Sequence, residues 1–274
     1  MVRPGTRLRP FVTGYADFDM AGWPPGRHRG LPDAGLTMVI SFGAPLVIRR
    51  AGHADLAAAA SVAGLRSAPF DVSHDGTQRG VQVELTPRGC RALLGRPAGE
   101  LVHGVWPLEQ VVGRRREGEL TDRLAAARGP EDRARVLDAV LTGWTADAGC
   151  PAVIDAFWRA LTSSGGRASV TSIAAQIGLS PRHLGELVRA ELGLTPKTAA
   201  RVLRFARARA CLRAGRATSL AQAAAMCGYF DQAHMNAEWK RLGGCTPGEW
   251  VSEELPFLQD RSPGRGPGWG DEQN

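Results

Sequence analysis

The sequence predicts an α+β fold. A small β-rich N-terminal domain with flanking helices precedes an all-α C-terminal domain of two helix-turn-helix motifs joined by a long helix. Three observations predict it. Apolar and polar residues alternate in short runs within the first 110 positions. Apolar residues then recur every three or four positions up to Leu161, and one helical unit occurs twice between Ser169 and Pro247.

The first of these runs are "LTMVISF" (36–42) and "PLVIRR" (45–50), which Gly43-Ala44 separates in the manner of a hairpin. "GVQVELTP" (80–87) alternates as a half-buried strand does, and "RGCRALLG" (88–95) reads as a short helix. In "ARGPEDRA" (127–134) a proline opens a new helix. Leu120, Leu124, Val136, Leu137, Val140, Leu141, Ile154, Phe157, Trp158 and Leu161 carry the helical spacing, so two or three helices are expected over 117–161. "TSSGGRAS" (162–169) has the composition of a flexible linker. "PGRGPGWGDEQN" (263–274) has that of a disordered end. The expected organisation is an N-terminal domain over 1–161, a linker over 162–168, a helical domain over 169–255 and a disordered tail over 256–274.

The 274 residues suffice for two domains with real cores. Hydrophobic content of 43% and charged content of 22% are those of a soluble globular protein. No window of about 18 apolar residues is long enough to span a membrane. "MVRPGTRLRP" has no apolar run behind its arginines and does not read as a secretory signal. Cys90, Cys150, Cys211, Cys227 and Cys245 form no C-x-x-C pair, so neither a disulfide framework nor a zinc site is expected, and a cytoplasmic setting is. His28, His53, His74 and His103 include no H-x-H pair, so no metal is expected, nor any cofactor. The net charge of +7 is localised: residues 167–250 hold 12 Lys/Arg against 5 Asp/Glu, which leaves 22 of each sign elsewhere. A basic half beside a neutral half points to a polyanionic partner for the basic half alone.

That basic half contains the repeat. Ser169, Ala174-Ala175 and Gly178 match Ser219, Ala224-Ala225 and Gly228 at an offset of 50. After one inserted residue the offset is 51: His183, Leu184, Val188, Gly193 and Thr195-Pro196 match His234, Met235, Trp239, Gly244 and Thr246-Pro247. Each unit has a serine able to cap a short alanine-rich helix, a glycine turn, and a second helix starting at Ser180 or Asp231. Helix, tight turn and helix make a helix-turn-helix, and two copies are a far stronger signal than one. Between them "PKTAARVLRFARARACLRA" (196–214) reads as one helix with an apolar stripe of Val202, Leu203, Phe205, Ala206 and Leu212. Such a rod is roughly 28 Å long, close to one duplex turn of about 34 Å, so it could hold two recognition helices in successive major grooves. Arg201, Arg204, Arg207, Arg209 and Arg213 surround it, some of them expected to reach phosphates.

"IAAQIGLSPRHLGELVRAELGLTPKTAARVLRFARA" and "AAAMCGYFDQAHMNAEWKRLGGCTPGEW" resemble the two helix-turn-helix motifs of AraC/XylS-type transcriptional regulators. "GYADFDM…PPGRHRGLPDAGLTMVISF" with "GVQVELTPRGCRALLGRPAGEL" resembles, more loosely, a sensor-type domain that precedes such motifs in actinobacterial members. The resemblance implies a sequence-specific transcription factor acting on the major groove of double-stranded DNA. It also implies a small-molecule effector, a homodimer and RNA polymerase as partners, with no membrane. In this family the exposed N-terminal half of each second helix reads bases. The implied residues are Ser180, Arg182, His183, Glu186 and Arg189 in the first copy, and Gln232, Asn236, Lys240 and Arg241 in the second. Arg182 suits a bidentate guanine contact, Glu186 a cytosine N4, and Gln232 and Asn236 adenine edges. Arg189, Lys240 and Arg241 suit phosphates, and Asp231 suits a helix cap. The matched histidines favour a structural hydrogen bond at His183 and His234. Ala237 stands where family members commonly carry a base-reading arginine, which makes the second copy the weaker reader.

"HRGLPD" (28–33) is a candidate effector-binding loop. Two other functions compete with the regulator. One is an architectural DNA binder indifferent to sequence. The other is a DNA-binding protein fused to a cysteine-based enzyme, with Cys90 as the nucleophile in the first turn of a helix whose dipole would lower its pKa.

Overall fold

The computed structural model describes residues 2–22, 24–50, 52, 54–146 and 149–253; the tail expected over 256–274 lies outside the described residues. Among the described residues nine strands form two antiparallel sheets. β1 (Val12–Met20), β8 (Gln78–Leu85), β3 (Leu36–Ser41), β6 (Ala60–Ala63) and β9 (Val105–Pro107) lie in that order in the first. β2 (Gly26–Gly30), β7 (Phe70–His74), β4 (Leu46–Arg49) and β5 (Leu56–Ala58) make the second. The alternation along β3 shows the layering. Leu36, Met38 and Ile40 belong to the core shared with the helices, while Val39 packs with Leu46, Ile48 and Val72 of the second sheet.

The hairpin expected from β3 to β4 does not form. β3 is already paired on both edges, with β8 and β6, and β4 pairs with β5 and β7 in the other sheet. Pro45, at the entry to β4, has no N–H to give a ladder. Residues 42–45 therefore carry the chain from one sheet to the other, and Ser41 Oγ donates to the Ala44 carbonyl at 2.9 Å inside that crossing.

Helices α1 (Pro87–Leu94), α2 (Leu108–Val112), α3 (Arg114–Ala126), α4 (Pro130–Trp144) and α5 (Ala152–Ser163) follow the strands. Thr86 caps α1 by accepting from Gly89 N at 2.9 Å, and Pro130 opens α4 as its position in the sequence predicts. Residues 162–168 are tied down rather than slack. Gly165 N and Gly166 N donate to the Thr162 and Leu161 carbonyls, both at 2.9 Å, and Ala168 N donates to Ser164 Oγ at 3.2 Å. Gly166 has φ +76, and a side chain there would collide with the Ala200 carbonyl oxygen, so both backbone shape and close approach require glycine.

The C-terminal part holds α6 (Val170–Ile177), α7 (Pro181–Leu192), α8 (Pro196–Arg213), α9 (Leu220–Cys227), α10 (Gln232–Gly243) and α11 (Pro247–Glu253). One continuous apolar core runs from Leu8 to Leu203. It joins the first sheet and α1–α5 to Ile173, Leu184, Val188 and Leu192 of the first helix-turn-helix. The second helix-turn-helix has its own core, with Phe205, Trp239 and Trp250 packed ring against ring at centroid distances of 4.7 and 5.5 Å. Among the described residues a single one from the N-terminal half, Leu31, enters that core.

Candidate nucleic-acid interface

The two units repeat their cap chemistry as well as their sequence. Ser169 accepts from Ser172 N at 3.0 Å and Ser219 from Gln222 N at 3.2 Å, which starts α6 and α9. Gly178 (φ 78) and Gly228 (φ 83) end those helices in the left-handed conformation. Ser180 accepts from His183 N at 3.2 Å and Asp231 from His234 N at 2.6 Å, so both recognition helices start on a side-chain cap, Asp231 in the capping role expected of it. α8 covers 18 residues, about 27 Å at ~1.5 Å per residue.

On α7 the expected readers share one exposed face. Arg182 has its side chain 91% exposed, and its Nε lies 3.2 Å from Glu186 Oε1. His183 Nδ1 lies 3.8 Å from the other Glu186 oxygen. Glu186 therefore stands between two potential donors and holds Arg182 along the helix surface. Arg182, Glu186 and Arg189 line an open groove of about 410 Å³ with Thr195 and Lys197 at the start of α8. Lys197 lies outside the positions that the repeat marks as readers. Its signal was available, because it follows the Thr195-Pro196 start of a helix that abuts the recognition helix.

On α10, Gln232, Lys240 and Arg241 are exposed. Asn236 is not presented as expected. It is half-buried, and its Oδ1 is enclosed without a hydrogen-bond partner among the described residues. A bidentate contact to adenine needs both amide atoms free. The matched histidines also part company. His234 Nδ1 accepts from Phe230 N at 3.2 Å, and its ring stands edge-on to Tyr229 at 5.5 Å, which is a structural role. His183 is exposed and has no such bond, because Leu179, the residue before the Ser180 cap, donates its N–H to the Ala174 carbonyl at 2.9 Å.

Arg201, Arg204 and Arg209, which the sequence places around DNA, pair with carboxylates within the protein. Arg201 Nε and Arg204 Nη2 reach the buried Glu238 of α10 at 2.6 and 3.5 Å. Arg209 pairs with Asp33 and also donates to the Pro32 carbonyl at 3.4 Å. Those pairs are tertiary links: one fixes α10 on α8, and the other fixes the β2–β3 loop on α8. Arg207 and Arg213 stay exposed.

The loop containing "HRGLPD" is thus a structural joint between the β-rich half and α8. Leu31 sits in the second core, and the buried Arg66 donates to the Leu31 carbonyl and stacks over Phe70 at 4.5 Å. Burial brings the Arg66 pKa down to about 10. Burial, with Asp33 second, pushes the neighbouring Glu84 up to about 7.

Cys90 does not fit the nucleophile role. It is fully buried in the main core, and burial pushes its thiol up to about 12, which outweighs any helix-dipole effect and leaves it protonated at neutral pH. Strand pairing brings His28 and His74 together, with ring centroids 6.0 Å apart. Burial and the neighbouring His74 lower the His28 pKa to about 4. His53 lies outside the described residues, and among the described residues no group of three His, Cys, Asp or Glu could hold a metal ion. Among the described residues no helix is long and apolar enough to cross a membrane.

Residues 173–253 match the family model of a helix-turn-helix domain, and residues 1–107 match a domain of unknown function (DUF6597). No curated protein matches the chain in sequence. Solved structures of similar fold include ToxT from Vibrio cholerae O395, with TM-score 0.53 and 10% identity over 92% of this chain and 100% of that one. A second ToxT structure from Vibrio cholerae gives 0.55 and 10% over 86% of this chain and 97% of that one. ToxT from strain SCE256 with an unsaturated fatty acid bound gives 0.50 and 9%, over 91% and 96%. At that identity the likeness is one of fold. The matched domain, the duplicated motif and the β-rich half ahead of it define a DNA-binding transcription regulator. Within that class its C-terminal domain is a helix-turn-helix domain of the AraC type, and its N-terminal domain is of the DUF6597 kind.

Proposed function

We propose that this regulator binds a bipartite duplex site, with α7 and α10 in successive major grooves, and that a small molecule bound by the N-terminal half adjusts the binding. The observation that carries the reading is the exposed face of α7. Arg182, His183, Glu186 and Arg189 project from a helix whose start and end are both capped, and Lys197 flanks the same groove. Ser180 is the cap of that helix and positions the readers. Gln232, Lys240 and Arg241 extend the contact on α10. Pairing with a second copy, contact with RNA polymerase and a place in the cytoplasm complete the reading that the family resemblance implies.

The effector site we assign is the open end of the two sheets. A cavity of about 520 Å³ lies there, lined by Asp19, Ser41, Leu46, His74 and Arg79 among others, within the size range of small-molecule sites. A ToxT structure holding an unsaturated fatty acid supports effector control on this fold. The mixed charges of the present cavity suit a smaller polar molecule.

In vitro selection of duplexes by the full chain tests the main reading. The selected site is expected to lose about 1–3 kcal/mol at one base-pair position when Arg182→Ala is tested on it. Equal affinity for selected and random duplexes would overturn the reading in favour of the architectural one.

A further inference from the structure

The turn of the second helix-turn-helix is one residue longer than that of the first. In the first unit Leu179 alone separates the Gly178 cap from the Ser180 cap. In the second, Tyr229 and Phe230 separate Gly228 from Asp231. Tyr229 takes the inward place at 5% exposure, and the additional residue, Phe230, is pushed out to 92%. Among the described residues it is the most exposed large apolar side chain. It is held there: its N–H is bonded to His234 Nδ1 at 3.2 Å, and the next residue caps α10. The backbone that carries the ring is thus fixed, and a phenyl side chain with only two torsions loses little conformational freedom on binding.

The reading positions behind it change chemistry in the same direction. At the offset of 51, Arg182 corresponds to Ala233 and Glu186 to Ala237, and both alanines are exposed. They lie one helical turn apart, on the same face and near the same end as Phe230. Lys240 and Arg241 follow on the helix and supply positive charge further along it. The first unit thus presents charged hydrogen-bonding groups where the second presents methyl groups and an aromatic ring. In the major groove the one apolar feature that distinguishes a base is the C5 methyl of thymine.

We propose that the second helix-turn-helix reads thymine methyl groups, with Phe230, Ala233 and Ala237 as the reading residues. The inference rests on the DNA-binding reading above. It gives the site a polarity: a G·C-reading half under α7 and a thymine-reading half under α10.

Deoxyuridine keeps every hydrogen-bonding edge of thymine and lacks only the methyl, so it isolates the contact. Each thymine of the selected duplex is replaced singly, and binding of the full chain is measured by fluorescence anisotropy. Replacement at one or more positions about one helical turn from the base pair sensitive to Arg182→Ala is expected to weaken binding roughly four-fold per methyl lost. Phe230→Ala is expected to keep the parent's melting temperature, because the ring is exposed, and to shrink that penalty to less than two-fold. A preferred duplex with no thymine in that half, or one indifferent to every exchange, overturns the inference alone. So does a Phe230→Ala variant that binds as the parent does with the full penalty. Failure to select any preferred duplex overturns the regulator reading and this inference with it.

Discussion

Arg91 and Glu191 meet across the boundary between the N-terminal half and the first helix-turn-helix, Nε to Oε1 at 2.6 Å and Nη2 to Oε2 at 2.7 Å. Glu191 is buried at the end of α7, and Arg91 stands on α1. The recognition helix is therefore fixed at its far end by a bidentate pair with the β-rich half. Arg91→Ala strands a buried carboxylate. The expected cost is about 2–3 kcal/mol, below the ~3–5 of a fully buried pair, because the Arg91 side chain is 30% exposed. Urea unfolding checks it, and parental stability in the variant would contradict it.

Lys197 carries a simpler expectation. It lies in the groove beside Arg182 and Arg189 but starts a different helix, so it suits a phosphate rather than a base. Lys197→Ala should weaken binding to all duplexes alike and lower the salt slope by about 1. A loss confined to one base pair would place it among the readers.

Glu186 holds Arg182 in an exposed pair, which is worth about 0.2–1 kcal/mol. Glu186→Ala releases that side chain and removes a negative charge from the interface. Affinity for random duplex is expected to rise a few-fold, while discrimination at the base pair facing position 186 disappears. Unchanged discrimination would show that Glu186 touches no base.

Among the described residues Leu31 is the one from the N-terminal half in the core of the second helix-turn-helix. Leu31→Ala is expected to cost about 2 kcal/mol, at the low end for a buried leucine because the site lies between two parts of the molecule. Amide exchange should quicken in α10 and α11 more than in α7. Equal quickening throughout would mean that Leu31 does not support the second unit in particular.

Glu84 makes the same junction sensitive to pH. Its folded pKa of about 7 stands above the ordinary 4.5, so the folded chain retains a proton there that the unfolded chain has released. The associated stability is fully present below about pH 4.5 and is lost as pH rises through 7. Glu84→Gln keeps the neutral form at every pH. The melting temperature of the variant relative to the parent should climb between pH 5 and pH 8, and a constant difference would contradict the assignment.

The C-terminal part was legible almost residue by residue. Cap serines, turn glycines and apolar spacing are local signals, and the repeat doubled each of them. The sheet connectivity was not, because the alternation that marks β3 and β4 as strands is silent on whether they pair with each other. The committed arginines of α8 show the same limit. Arg201, Arg204 and Arg209 look like solvent-facing cations in the sequence, and their carboxylate partners Glu238 and Asp33 lie far along the chain. Composition misled at 162–168, where glycines that suggest slack serve a tight helix end. Phe230 was visible as an insertion between the two copies, yet only its exposure shows what the insertion does.

The apolar core that continues from Leu8 to Leu203 bears on how such chains can be recombined. A graft made at the helix end near residue 165 would place foreign side chains against Leu184, Val188 and Leu192, and would meet Glu191 without its arginine. Sensor halves exchanged between relatives should therefore yield working hybrids only when the surface under the first reading helix travels with them. Ancestry in this lineage is then expected to show the two halves inherited together rather than shuffled.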